Sequence, residues 1–107
     1  MNSKVFISCL NFQLRDEVRA QIAAAADKLF RQELHVANVR LTLEGDYHRR
    51  AKISYKVTIL LELRSSEIVA KCQGEQLIPV VNSVIDQAER LLLERVYLRQ
   101  QESTPAA

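Results

Sequence analysis

The feature that most constrains this chain is a long run near its end, from residue 76 to residue 100, in which no glycine or proline follows Pro79. Its apolar residues recur at steps of three and four, which places them on one face of an α-helix. Pro79 is compatible with the first turn of such a helix, where the missing N–H group is no loss. A helix of about 20 residues is roughly 30 Å long, so its apolar stripe must pack on another layer. The stripe consists of Val81, Val84, Ile85, Ala88, Leu91, Leu92 and Val96.

Length and composition predict one globular domain at residues 1–100, followed by a frayed C-terminal tail at residues 101–107. No apolar run approaches the 18 or so residues that suggest a membrane span. The N-terminal residues lack the apolar region and cleavage site of a signal peptide, which predicts a cytoplasmic location. Cys9 and Cys72 form no metal or redox motif and are expected to be small buried hydrophobes.

Apolar and polar residues alternate in four other segments, a pattern typical of strands that bury one face. In the second of these, Ala37, Val39, Leu41 and Leu43 are expected to face inward. Gly45 and Asp46 then indicate a turn. The predicted strands are residues 3–10, 36–44, 52–64 and 67–73.

Between the first two strands, helical spacing predicts a helix from Leu14 to about Gln32. The element order is therefore β-α-β-β-β-α. Three consecutive strands joined by short turns form an antiparallel meander, and the connection through a helix allows the first two strands to be parallel neighbours. The sequence thus predicts an α+β fold, in which two helices pack on one face of a four-stranded sheet and leave the other face to solvent.

The sequence contains no catalytic signature. There is no glycine-rich phosphate loop, and His35 and His48 have no neighbours at the spacing of metal ligands or of a catalytic triad. We therefore expect a protein that is not an enzyme and that uses neither a cofactor nor a metal.

The placement of basic residues is more informative than the net charge of +2. Basic side chains on the open sheet face could contact the phosphates of a nucleic acid. However, Glu44, Glu62 and Glu67 share that face, so charge placement alone favours an ordinary solvated surface over nucleic-acid binding. The open face or its rim carries Lys4, Arg40, Lys52, Lys56, Arg64 and Lys71. The adjoining loop carries Arg49 and Arg50, and the helices carry Arg19, Lys28, Arg90, Arg95 and Arg99.

Four segments resemble the ribosome hibernation factors, a family that includes hibernation promoting factor and ribosome-associated inhibitor A and is also called the sigma-54 modulation protein family. The similar segments are VFISCLNF at residues 5–12, VRAQ at 18–21, DKL at 27–29 and EQLIPVVNSVIDQAERLL at 75–92. The resemblance runs from about Lys4 to Arg99. It implies a double-stranded-RNA-binding-like fold with an added first strand.

The resemblance implies a specific function. Members of the family occupy the decoding channel of the small ribosomal subunit, contact ribosomal RNA through lysine and arginine, and silence idle ribosomes in stationary phase or stress. By position, Arg19, Lys28 and Arg90 match basic residues of the family. Lys52, Lys56, Lys71, Arg49 and Arg50 are additional candidates for RNA contacts, taken from the sheet argument.

The chain also departs from the family pattern. Arg15 stands where the family usually has a helix-capping threonine, a loss that costs about 1 kcal/mol of helix stability. The last helix has fewer cations near its end than is usual, and the chain most resembles the short form of the family. A surplus of apolar residues at Leu60, Leu93, Tyr97 and Leu98 suggests an alternative function as a protein-interaction or self-associating module that does not bind ribosomes tightly.

Overall fold

The computed structural model of the protein describes residues 4–31, 35–47 and 53–102, with side chains up to residue 98 in the last helix. Within these ranges the element order is the predicted β-α-β-β-β-α. The strands are β1 (Val5–Leu10), β2 (Val36–Tyr47), β3 (Ile53–Leu63) and β4 (Glu67–Gly74). The helices are α1 (Asp16–Ala26), which a 3₁₀ helix (Asp27–Arg31) continues, and α2 (Leu77–Glu102).

The four strands form one sheet in the order β1-β2-β3-β4. β1 pairs with β2 in parallel, whereas the β2–β3 and β3–β4 pairs are antiparallel. The inner face of this sheet and the apolar stripes of both helices form one continuous core. The predicted α+β class, with both helices on one face of a four-stranded sheet, is therefore confirmed.

Helix α2 buries the predicted stripe against β3 and β4. Val84, Ala88 and Leu92 are completely buried, and Leu91 and Val96 flank them at half-buried positions. Pro79 lies in the first turn as predicted, since the helical hydrogen bonds begin one residue later, where the N–H of Val80 donates to the carbonyl of Gln76 at 3.2 Å. No helix among the described residues combines the length and apolar character that crossing a membrane requires.

Helix α1 begins without a side-chain cap. Arg15 occupies the N-cap position in an extended conformation, and its side chain makes no capping hydrogen bond. The amide groups of the first turn therefore lack the acceptor that Ser, Thr, Asn or Asp would supply. Asp16 and Glu17 lie in that first turn, where their negative charge is favourable near the helix N-terminus.

The prediction that Ala37 faces the core was wrong. The register of β2 against β3 shifts between Val36 and Asn38, which is the pattern of a β-bulge. A bulge adds one residue to a strand, and the side chains before it therefore exchange faces. As a result Val36 is buried and Ala37 is exposed, whereas Val39 and the following residues alternate as predicted.

The predicted turn at Gly45 and Asp46 was also wrong, because β2 continues through both residues to Tyr47. Gly45 pairs with Tyr55 of β3. A β-carbon at Gly45 would lie 3.1 Å from the ring of Phe12. The glycine therefore serves a close approach of the β1–α1 connection to the sheet, and it does not break the strand.

Candidate nucleic-acid interface

The outer face of the sheet, opposite the helices, is organised in rows that cross all four strands. The strand registers place one side chain from each strand in each row. Three of these rows differ in chemistry. One is mostly apolar, one carries mostly hydroxyl groups, and one is mixed. The apolar row is Phe6, Arg40, Leu60 and Val69; the hydroxyl row is Ser8, Thr42, Thr58 and Lys71; the mixed row is Leu10, Glu44, Lys56 and Gln73.

Lys56 on β3 and Lys71 on β4 are brought together on this face. Lys56 lies opposite Gln73 and Lys71 opposite Thr58, so the two lysines are diagonal neighbours. Diagonal side chains on adjacent strands are about 7–8 Å apart. Both are exposed, and neither has a carboxylate within ion-pair distance among the described residues.

A shallow depression of about 470 Å³ lies around these two lysines. Thr58 and Gln73 also line it, and they supply neutral hydrogen-bonding groups beside the ammonium groups. Glu44 lines its far side, directly opposite Lys56 in the strand register. The depression therefore combines two cations with polar neutral groups, which suits the oxygen atoms of a phosphate chain, although one carboxylate borders it.

Arg40 in the apolar row is engaged by its neighbours. Its Nε donates to Oε1 of Glu62 at 2.6 Å, and its guanidinium lies over the ring of Phe6, 4.7 Å from the ring centroid. The Glu62 carboxylate therefore offsets the charge of Arg40 locally. Phe6 remains 45% exposed beside it.

On the helices, Arg19 and Lys28 make contacts within the protein. Arg19 on α1 donates from Nη1 to the main-chain carbonyl of Ile7 at 3.0 Å. Lys28 Nζ lies 2.8 Å from Oδ1 of Asp86 and 3.4 Å from Oε1 of Glu89, both on α2. These contacts tie the helices to each other and to the sheet edge, and they leave the two cations less available to a ligand.

The carboxylates around Lys28 also change its protonation. The hydrogen bond to Asp86 raises the pKa of the Lys28 ammonium above its ordinary value, and the charge of Glu89 adds to this effect, while partial burial opposes it. Lys28 is therefore held in its charged form as part of an interhelical ion-pair cluster.

Arg90 lies exposed on α2, next to an apolar cluster that we call the α2 apolar cluster and define as Leu93, Tyr97 and Leu98. These three side chains are 49%, 59% and 55% exposed. They lie beyond Leu92, which is the last fully buried residue of the helix within the part that the structure describes. The second half of α2 thus presents a surface in which Arg90 and Glu94 adjoin three large apolar side chains.

The remaining candidates, Arg49, Arg50 and Lys52, lie outside the described residues. The structure therefore brings Lys56 and Lys71 together, places Arg90 on a separate surface, and engages Arg19 and Lys28 in internal contacts. Phe6 and the row of hydroxyls were not singled out from the sequence. The alternation of β1 puts Phe6 on the outer face, but its contact with Arg40 depends on the pairing of β1 with β2.

The described ranges also contain two thiols and side chains of the kinds that ligate metal ions. They contain no group of three or more His, Cys, Asp or Glu side chains that could hold a metal ion. Cys9 and Cys72 are half-buried thiols. Burial raises the pKa of the Cys9 thiol, against the opposing effects of the Arg19 charge and of the Phe12 backbone, which makes this thiol a poorer nucleophile.

Comparison with known proteins finds similarity in structure. No protein-family model and no curated protein sequence matches the chain. A ribosomal subunit interface protein from Coxiella burnetii has a similar structure, with a TM-score of 0.75 and 12% sequence identity over 88% of this chain and 98% of that protein. The N-terminal domain of protein Y from Thermus thermophilus matches with a TM-score of 0.62 and 15% identity, over 85% of this chain and 94% of that domain. The fold implied by the resemblance is thereby confirmed.

Proposed function

We propose that the protein binds the small ribosomal subunit through contacts of lysine and arginine side chains to ribosomal RNA, and holds the subunit translationally inactive. The observation that carries this proposal is the shared fold with a ribosomal subunit interface protein across 98% of that protein's length. The resemblance of residues 5–12 and 75–92 to ribosome hibernation factors points to the same function.

The outer sheet face supplies the best-placed RNA contacts in this proposal. Lys56 and Lys71 are exposed neighbours without ion-pair partners in the described part of the chain. The hydroxyls of Ser8, Thr42 and Thr58 lie in the row beside them and can bond to phosphate or ribose oxygens. Such contacts position a protein on RNA without reading its sequence, as expected for a protein that occupies the decoding channel.

The other candidates have different roles in this proposal. Arg90 contacts RNA from the middle of α2, and Arg49, Arg50 and Lys52 contact it from the β2–β3 connection. Arg19 and Lys28 keep their contacts to Ile7 and to α2, so they contribute mainly by holding the helices in place. The protein acts in the cytoplasm, where translating ribosomes are found, and it carries out no catalysis.

The test is sedimentation of lysate from starved cells of the source organism on a sucrose gradient at low salt. The proposal predicts that the protein migrates with small subunits or ribosomes. Its absence from all ribosomal fractions would reject the proposal. A gradient at high salt is the matched control, since binding to phosphates weakens steeply as salt rises.

The α2 apolar cluster favours a second candidate function, that of a protein-interaction or self-associating module. Leu93, Tyr97 and Leu98 expose about half or more of their surface on the part of α2 that extends past the core. Large apolar side chains that are exposed together are typical of protein–protein interaction sites. Affinity measured across salt separates the two candidates, because an apolar contact changes little with salt whereas contacts to phosphates weaken.

A further inference from the structure

The edge strand β4 directs half of its main-chain hydrogen-bonding groups away from the sheet. The N–H of Leu63 donates to the carbonyl of Ser66 at 2.9 Å, so these two residues form a hydrogen-bonded pair. In antiparallel strands such pairs alternate with pairs that exchange no hydrogen bonds. Every second residue from Ser66 onward therefore bonds to β3. The intervening residues, whose main-chain groups point outward, are Glu67, Val69, Lys71 and Gln73.

The two edges of the sheet differ in where along the strand a side chain covers one of these outward groups. At the β1 edge, the carbonyl of Ile7 accepts a hydrogen bond from Arg19 at 3.0 Å in the middle of the strand. At the β4 edge, Arg95 reaches only the carbonyl of Glu67 at the strand's start, at 3.5 Å. In the part of the chain that the structure describes, nothing bonds to the outward groups of Val69 and Lys71. An uncovered edge of this kind is a template for pairing with another strand.

We propose that the protein forms a symmetric dimer in which β4 pairs antiparallel with β4 of a second copy, centred on Val69. In this arrangement Val69 faces Val69 of the second copy, and Glu67 faces Lys71 of the second copy on both sides of the axis. All three facing pairs use the outward main-chain groups, so each pair exchanges two hydrogen bonds. The interface is isologous, as a two-fold dimer requires.

Charge complementarity selects this register. Glu67 lies opposite Glu62 of its own sheet, an unfavourable pairing of like charges, and Arg40 already binds Glu62. Lys71 lies opposite Thr58, and no carboxylate among the described residues is within ion-pair distance of it. The second copy supplies the opposite charge to both residues. Moving the two-fold axis by two residues in either direction would instead place Glu67 against itself or Lys71 against itself.

The apolar row of the outer face supports the same arrangement. Val69 ends that row at the β4 edge and is 50% exposed. Pairing the two strands removes both valines from water and joins the apolar rows of two sheets into one. The second copy therefore matches the edge in hydrogen bonds, in charge and in its apolar centre.

Sedimentation velocity of the purified full chain without RNA tests the dimer over a range of concentrations. The expected result is a concentration-dependent rise from the monomer mass of 12.2 kDa to twice that value. Lys71→Glu and Glu67→Lys each place like charges opposite one another, so each should weaken dimerisation about tenfold or more. The double variant E67K/K71E restores both pairs with their signs exchanged and should recover the dimer.

Lys4→Glu is the matched control, since it makes the same charge change at the other edge of the sheet and should leave dimerisation intact. Circular dichroism checks that each variant is folded. The proposal is overturned by a wild-type protein that stays monomeric at the highest concentration, by a dimer that the single variants leave unchanged, or by a double variant that does not recover. A dimer formed through the α2 apolar cluster would give the second of these results. Because no RNA is present, the outcome is independent of ribosome binding.

Discussion

Replacing both Lys56 and Lys71 by glutamine should remove two phosphate contacts without disturbing the core, because both side chains are exposed on the outer sheet face. Each contact contributes about 0.7 to 0.9 to the slope of log affinity against log salt concentration. The slope of the double variant should therefore be shallower by about 1.4 to 1.8. Over a fourfold rise in salt, the wild-type protein should lose about 7- to 12-fold more affinity than the variant.

The assay is fluorescence anisotropy of labelled protein titrated with purified small ribosomal subunits at several salt concentrations. Arg15→Gln combined with Arg31→Gln is the control, since it lowers the formal net charge of +2 by the same two units but acts on exposed residues at the two ends of the helical segment formed by α1 and the 3₁₀ helix. The control should retain the wild-type slope. A specific role for the outer face would be refuted if both double variants changed the slope equally. It would also be refuted if replacing Lys56 and Lys71 left the slope unchanged.

Three further predictions concern stability, measured as the free energy of unfolding in urea. Lys28→Met should lower it by about 0.2–1 kcal/mol at neutral pH, because Lys28 is paired with Asp86 and Glu89 at a solvent-exposed site. Since pairing raises the pKa of Lys28 in the folded state, this difference should persist below the ordinary lysine pKa and vanish as pH rises through the raised value; a difference that grows with alkaline pH would contradict the assignment. Leu92→Ala should cost about 2–5 kcal/mol, because the side chain is completely buried, and a loss comparable to that of a surface substitution would argue against the packing of α2. Arg15→Ser should raise the free energy of unfolding by about 1 kcal/mol, because serine can cap α1. No gain would show that the amide groups of the first turn already have hydrogen-bond partners.

The fold could be predicted from the sequence because the apolar residues of each element recur at the spacing typical of a helix or of a strand. The spacing from Val81 to Val96 indicates α2, and the alternation in residues 52–64 indicates β3. The bulge at Ala37 could not be predicted in this way, because Val36 and Ala37 are both apolar and the sequence does not show which of them faces the core. The role of Gly45 depends on Phe12, which is distant in sequence, and local turn signals therefore gave the wrong answer there.

The candidate interface was only partly predictable, because the availability of a cation depends on its neighbours in space. Helical spacing placed Lys28 on α1 or its continuation, but not beside Asp86 of another helix. Likewise, Arg40 and Glu62 lie on the same face by alternation, and only the β2–β3 register brings them together. The prediction that Lys56 and Lys71 share the outer face needed only the strand period, and the structure places them there.

The most direct test of the account is co-sedimentation of the purified protein with purified small subunits, with and without messenger RNA and transfer RNA already bound. The account predicts saturable binding to small subunits, little binding to large subunits, and loss of binding when the decoding channel is filled. Binding that is equal for both subunits, or unaffected by messenger RNA and transfer RNA, would contradict the proposal that the protein occupies the decoding channel.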